Sequence, residues 1–188
     1  MKGAPSLPQP AQQSDPESLA PFFAHLANDG THEPISALPV CDGHGGFISG
    51  TEPYYDTEMI EFENGVLYSD GRIDLCKMVT GPRNIGALME SLKTNTFSKH
   101  FLLGNNIIGP VGAKAITDFI FHFPERFETW YLAGNCIDGA SFSPLVDAMV
   151  LGPAVTNVWL KRNPLGPGAA KDLFRLIMET PNLRTLDL

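Results

Sequence analysis

The sequence predicts an α/β fold of stacked strand–helix units, with parallel strands inside, helices outside, and a helix plus β-hairpin covering the N-terminal end. Three observations carry this. A motif returns every 28–29 residues through the second half of the chain. Each return starts with the two-residue alternation of a strand. Each then gives way to an apolar stretch of helical period that a proline closes.

The returns are "FLLGNNIIGPVGA" (101–113), "WYLAGNCIDGA" (130–140) and "VWLKRNPLGPGAA" (158–170). Phe101, Trp130 and Val158 lead them, and Asn106, Asn135 and Asn163 recur in step. One period earlier, "RIDLCKMVTGP" matches at Ile73, Leu75 and Gly81-Pro82, with Met78 in place of the Asn. One period later stands Leu186 in "NLRTLDL". In "WYLAGN" the alternation sends Trp130 and Leu132 inward and Tyr131 outward. The Asn follows where the chain turns, and its amide can satisfy backbone groups that the turn leaves unpaired, so stacked units predict a structural ladder of Asn106, Asn135 and Asn163. Helices are expected over 85–94, 112–123, 140–150 and 168–180. In the last, Leu173, Leu176 and Ile177 share a face. Pro124, Pro153 and Pro181 follow three of them. A single such unit cannot bury its apolar face, and stacking does.

This pattern resembles the leucine-rich repeat family, in the ribonuclease-inhibitor-like type with 28–29-residue repeats that the Ran GTPase-activating protein shares. The resemblance covers about residues 70–188. It implies a leucine-rich-repeat solenoid and recognition of a protein partner on a concave face, with no catalysis and no cofactor. The alternative it implies is a GTPase-activating regulator, for which Asn105, Asn106 and Arg162 would be the candidates.

Ahead of the repeats, residues 1–14 are rich in Pro, Gln and Ser and are expected to form a disordered tail. "SDPESLAPFFAHLANDG" offers Ser14 or Asp15 as N-cap, Pro16 in the first turn, and Leu19, Phe22, Phe23 and Leu26 on one face; Gly30 can end the helix. Residues 31–56 lack periodicity and read as a loop. Asn64-Gly65 and Asp70-Gly71 are turn signals, which implies strands at 58–63, 66–69 and 72–75. Residues 15–69 are therefore expected to be a cap and 70–188 the repeats, with the natural array expected to continue beyond Leu188.

Composition narrows the partners. A net charge of −8 excludes a general nucleic-acid or anionic-membrane binder. No apolar run approaches the length of a membrane helix, and no secretory signal opens the chain. Three widely spaced cysteines, Cys41, Cys76 and Cys136, fit a cytoplasmic, reducing setting better than a disulfide framework.

"CDGHGG" (41–46) is the most enzyme-like stretch. It is similar to the DGHGG motif of metal-dependent phosphatases of the 2C class. The match ends at Asp42, Gly43, His44, Gly45 and Gly46, no later aspartates complete a binuclear site, and the remaining length belongs to the repeats. We expect a Gly-rich turn there, with no metal and no catalytic residue.

Candidate binding residues follow from register. The outward column is Asp74, Leu102, Tyr131, Trp159 and Asp187, an apolar and aromatic ladder with an acid at each end. The column before it is Arg72, His100, Thr129, Asn157 and Thr185, of which His100 is the candidate contact. Past the strand come Lys77, Asn105, Gly134 and Arg162, with Lys161 beside them, suited to charge-complementary docking.

Overall fold

The computed structural model describes residues 12–28 and 58–188. The "CDGHGG" stretch, Gly30, Cys41 and the whole of the 31–56 segment lie outside the described residues.

The elements run α1 (Pro16–Leu26), β1 (Met59–Phe62), β2 (Gly65–Tyr68), β3 (Arg72–Asp74), α2 (Gly81–Ser91), β4 (His100–Leu102), α3 (Gly109–His122), β5 (Thr129–Tyr131), α4 (Gly139–Leu151), β6 (Asn157–Trp159), a 3-10 turn at Pro167–Ala169 leading into α5 (Ala170–Glu179), and β7 (Thr185–Asp187). The seven strands form one sheet in chain order. β1, β2 and β3 pair antiparallel, and β3 to β7 are all parallel. The fold is thus α/β with a mostly parallel sheet and five α-helices among the described residues. Each parallel strand is joined to the next through one helix, and successive helices α2 to α5 pack side by side.

The three-residue strands β3 to β6 hold because each central side chain is buried between sheet and helices. Ile73, Phe101, Trp130 and Val158 are all 1% exposed or less, and Leu75, Leu103, Leu132 and Leu160 repeat this two residues later. Phe101, Phe127 and Trp130 form an aromatic centre, with centroids 5.2–5.5 Å apart. Burying one such ring contributes on the order of 1.5–3 kcal/mol.

α2 and α3 begin three or four residues earlier than their apolar period suggests, whereas α4 and α5 start within two residues of the expected positions. In α2 and α3 a Gly-Pro pair opens the first turn. Gly109 takes a φ of 59°, which turns the chain, and Pro110 needs no hydrogen bond from its nitrogen there. α4 starts differently, with a capping box: the Ser141 N–H donates to Asp138 Oδ1 at 2.8 Å and the Asp138 N–H donates to Ser141 Oγ at 3.2 Å. The Ser141 bonds hold the Asp138 carboxyl below its ordinary range.

At the N-terminal end, Leu19, Phe22 and Leu26 of α1 are fully buried, and Phe22 packs on Phe62 at 5.0 Å. The end of α1 is held by Asn95, whose amide donates to the Leu26 carbonyl, and by Thr94, which donates to that of Ala27. Ser14, at the end of the stretch read as a tail, donates its N–H to the Val79 carbonyl and its hydroxyl to that of Met78. α1 and the β1–β2 hairpin therefore cover one end of the helix and sheet layers.

Candidate functional site

The columns inferred from the sequence are physical columns. β-pairing sets Asp74 opposite Leu102, Leu102 opposite Tyr131, Tyr131 opposite Trp159 and Trp159 opposite Asp187. All five are half-buried on the sheet face turned away from the helices. The Tyr131 and Trp159 rings lie 5.8 Å apart at 43°. Tyr131 extends along the column in the other direction as well. A Cβ added at Gly104 would stand 2.4 Å from Tyr131 Cε1 and 3.3 Å from Cys76 Sγ. The ring thus lies over bare backbone beside the Cys76 thiol.

The two acids at the ends of the column are engaged. Asp74 Oδ1 accepts the Cys76 N–H at 2.8 Å. Burial first, and then the Asp74 carboxylate, push the Cys76 thiol up to about 12. Asp187 pairs with Lys161 at 2.7 Å, and that hydrogen bond holds the Lys161 ammonium above its ordinary range. Lys161 is thereby paired with the acid at the end of the column instead of standing free.

In the adjacent column, His100 Nδ1 shares a 2.9 Å hydrogen bond with Thr129 Oγ1, which also accepts from Asn157 Nδ2 at 3.3 Å. Arg72 pairs with Asp70 at 2.7 Å and lies over the Tyr68 ring. The third column, Lys77, Asn105, Gly134 and Arg162, shares a left-handed backbone, which suits Gly134 and Asn105. All four positions have φ between 57° and 67°. Lys77 and Arg162 are exposed and Asn105 is half-buried.

Behind the columns, the three asparagines bind consecutive units together. Asn106 donates to the Leu75 carbonyl at 2.8 Å and accepts the Thr80 N–H at 2.8 Å. Asn135 donates to the Leu103 carbonyl at 2.7 Å and accepts the Asn106 N–H at 3.0 Å. Asn163 donates to the Leu132 carbonyl at 2.9 Å and accepts the N–H groups of Asn135 and Ile137, both at 3.0 Å. Asn106 and Asn135 are fully buried. These residues are spent on the backbone.

One residue that the pattern did not reveal is Arg126. Its guanidinium reaches back to the Leu92, Lys93 and Asn95 carbonyls beyond α2, and burial lowers its pKa. It borders an open depression of about 390 Å³ with Thr96, Lys99 and His122. With Arg126 committed to three carbonyls, that depression has no built polar site. Among the described residues, no group of three His, Cys, Asp or Glu side chains could hold a metal ion, and no helix is long and apolar enough to cross a membrane.

The class that these features define is an α/β domain with strand–helix units in register and a half-buried aromatic column on the sheet face away from the helices. No family model matches the sequence, and no curated protein matches it. Solved structures do share the fold. Leiomodin-1 actin-binding site 2 is similar over 62% of this chain and 69% of its own, with a TM-score of 0.55 and 19% identity. The tropomodulin C-terminal domain of Caenorhabditis elegans is similar over 64% of this chain and 75% of its own, with a TM-score of 0.56 and 16% identity.

These findings correct two expectations. The assignment to the ribonuclease-inhibitor-like leucine-rich-repeat family does not stand: the structural neighbours are leiomodin and tropomodulin domains, and no sequence family supports the assignment. The functions attached to it, a general scaffold gripping a partner on a concave face and a Ran-type GTPase activator, fall with it. The physical reason is that a 28-residue period with an inward Asn specifies the geometry of a strand–helix unit. It says nothing of ancestry or partner, because function resides in side chains that the period leaves free. The phosphatase reading of Asp42 and His44 rests on residues outside those described.

Proposed function

We propose that this chain is a non-catalytic actin-binding domain. The observation that supports the reading is the likeness in fold to leiomodin-1 actin-binding site 2 and to a tropomodulin C-terminal domain, over more than three-fifths of this chain. The half-buried Leu102–Tyr131–Trp159 column supplies what a protein partner needs, since adjacent aromatic rings give large contact area at low entropic cost. Around it, His100, Asn105, Lys161 and Arg162 are our candidates for polar contacts, with Asp74 and Asp187 orienting their neighbours. We read residues 15–69 as the cap of one continuous array that starts near residue 70, and a cytoplasmic setting as the one that suits this partner.

The test is direct binding to purified actin, by co-sedimentation with filaments and by a fluorescence titration of monomers. Saturable binding to either form is expected. Absence of binding to both, with the fold intact by circular dichroism, would refute the reading.

A further inference from the structure

Consecutive units are also joined through the carbonyls of the ladder asparagines. The Gly81 N–H donates to the Asn106 carbonyl at 3.0 Å, and the Gly109 N–H to the Asn135 carbonyl at 2.8 Å. One period earlier the equivalent carbonyl belongs to Met78, and α1 with the hairpin stands where a preceding unit would. The donor to Met78 is the Ser14 hydroxyl. Beside it the Ser14 N–H donates to the Val79 carbonyl at 3.0 Å, and Asn84 Nδ2 donates to the Ser14 carbonyl at 2.9 Å. Ser14 thus substitutes for a preceding unit, at a turn where Lys77 and Val79 both hold a positive φ, 65° and 49°.

The same residue ties down α1. Ser14 stands just before Pro16, where the helix begins, while Asn95 and Thr94 grip the far end at Leu26 and Ala27. Between these ties Leu19, Phe22 and Leu26 are buried, and Phe22 closes over Gly65, where an added Cβ would stand 2.3 Å from its ring. The local sequence is distinctive as well. In Ser14-Asp15-Pro16-Glu17 the hydroxyl is followed by acids one and three places on. Among the described serines and threonines, Ser14 alone has an Asp or Glu three places on. Gln12, Asp15, Pro16 and Glu17 are exposed, and residues 12–15 lie outside any helix or strand, so another protein can reach the segment.

We propose that Ser14 is a phosphorylation site for an acid-directed serine kinase, and that its phosphate releases α1 from the array. In the transfer Ser14 Oγ attacks the γ-phosphorus of ATP, its proton passes to the kinase's base, and the P–O bond to ADP breaks. The product has no hydroxyl proton to donate to Met78. It carries a charge of about −1.5 to −2, set against a carbonyl oxygen and beside Asp15 and Glu17. The lost bond and the repulsion both oppose the docked geometry. Ser14 is half-buried and its hydroxyl engaged, so the kinase takes the segment when it opens transiently, and the phosphate keeps it from closing. With 11 residues, α1 is too short to persist as an isolated helix once undocked. This inference does not depend on the actin reading.

The test has two arms, both on the full chain. In the first, the protein is incubated with a purified acid-directed serine kinase, ATP and Mg²⁺, and the phosphate is mapped by mass spectrometry. Incorporation at Ser14 is expected, slower by about fivefold or more in Glu17→Gln, which removes the acid the kinase reads. In the second, phosphoserine is installed at position 14 by genetic encoding, and hydrogen exchange of the α1 amides is followed. Exchange should be faster than in the unmodified chain by about tenfold or more, with α4 unchanged. Ser14→Ala loses the hydroxyl bond without gaining charge, and gives the baseline that the phosphate must exceed. No phosphate at Ser14, or equal incorporation in Glu17→Gln, would overturn the proposal. So would α1 exchange no faster with the phosphate than in Ser14→Ala, as if the exposed Arg83 of α2 gripped it in place.

Discussion

Tyr131 and Trp159 stand opposite one another on adjacent parallel strands, with ring centroids 5.8 Å apart on the face away from the helices. Neither ring contributes to the buried centre, which Trp130 and Val158 fill from the opposite side of the same strands. Tyr131→Ala and Trp159→Ala should therefore each cost little stability, within about 1 kcal/mol. Each should weaken actin binding by roughly tenfold or more, if the column is the contact. Co-sedimentation beside thermal denaturation separates the two effects. Full binding by the double variant would remove the column as the site and leave the actin reading standing on other surfaces.

Gly104 offers a finer probe of the same face. Its backbone is ordinary, so alanine meets no conformational penalty there, but the added Cβ would press on the Tyr131 ring at 2.4 Å. Gly104→Ala should displace that ring at a cost of about 1–3 kcal/mol. Near-ultraviolet circular dichroism should change, and binding should fall although no contact residue has been removed. Identical spectra would show that the ring moves aside freely.

Asn135→Ala should be among the more damaging polar changes in the chain. It strands the Asn106 N–H and the Leu103 carbonyl, both inside the protein. Leaving two such groups unpaired costs about 2–5 kcal/mol. Asn163→Ala, at a half-buried site, should cost less. Urea unfolding of the two variants gives the order, and a reversed order would contradict the account of the ladder.

The Cys76 thiol gives a pH signature. In the folded chain it holds its proton up to about 12, through burial and the Asp74 carboxylate; an unfolded cysteine ionises near ~8.5. The folded state thus keeps a proton that the unfolded state releases. Its contribution to stability is full below the unfolded value and is lost as pH rises from there toward the folded one. Melting temperature should fall from pH 8 to pH 10 more steeply in the native sequence than in Cys76→Ala. At pH 8 iodoacetamide should label Cys76 at least about a hundredfold more slowly in the folded chain than in urea. Equal rates would place the thiol in solvent.

The strands and the asparagines were legible in the sequence because a period fixes them. Phe101, Trp130 and Val158 alternate with outward neighbours, and the equal spacing of Asn106, Asn135 and Asn163 admits one stacked register. The starts of α2 and α3 lie three or four residues before their apolar period because Gly-Pro reads as a turn, whereas Gly81-Pro82 and Gly109-Pro110 also open the helices. Arg126 escaped because its partners lie 31–34 residues back at carbonyls, which have no sequence signature. Ile177 was placed on a buried face because an apolar period records which side chains could be covered, and only the fold records whether a neighbour covers them. The family assignment overreached for a related reason: the residues that set the unit geometry are those least concerned with a partner.

The asparagine ladder has a bearing on how the molecule comes apart. Asn163 holds the N–H groups of Asn135 and Ile137, Asn135 holds that of Asn106, and Asn106 holds that of Thr80. Each unit thus completes the backbone of the one before it, so opening any unit orphans buried groups in its predecessor. Such a chain of dependencies opposes fraying and favours melting as one cooperative body, with amide protons near Thr80, Asn106 and Asn135 exchanging only when the whole array opens.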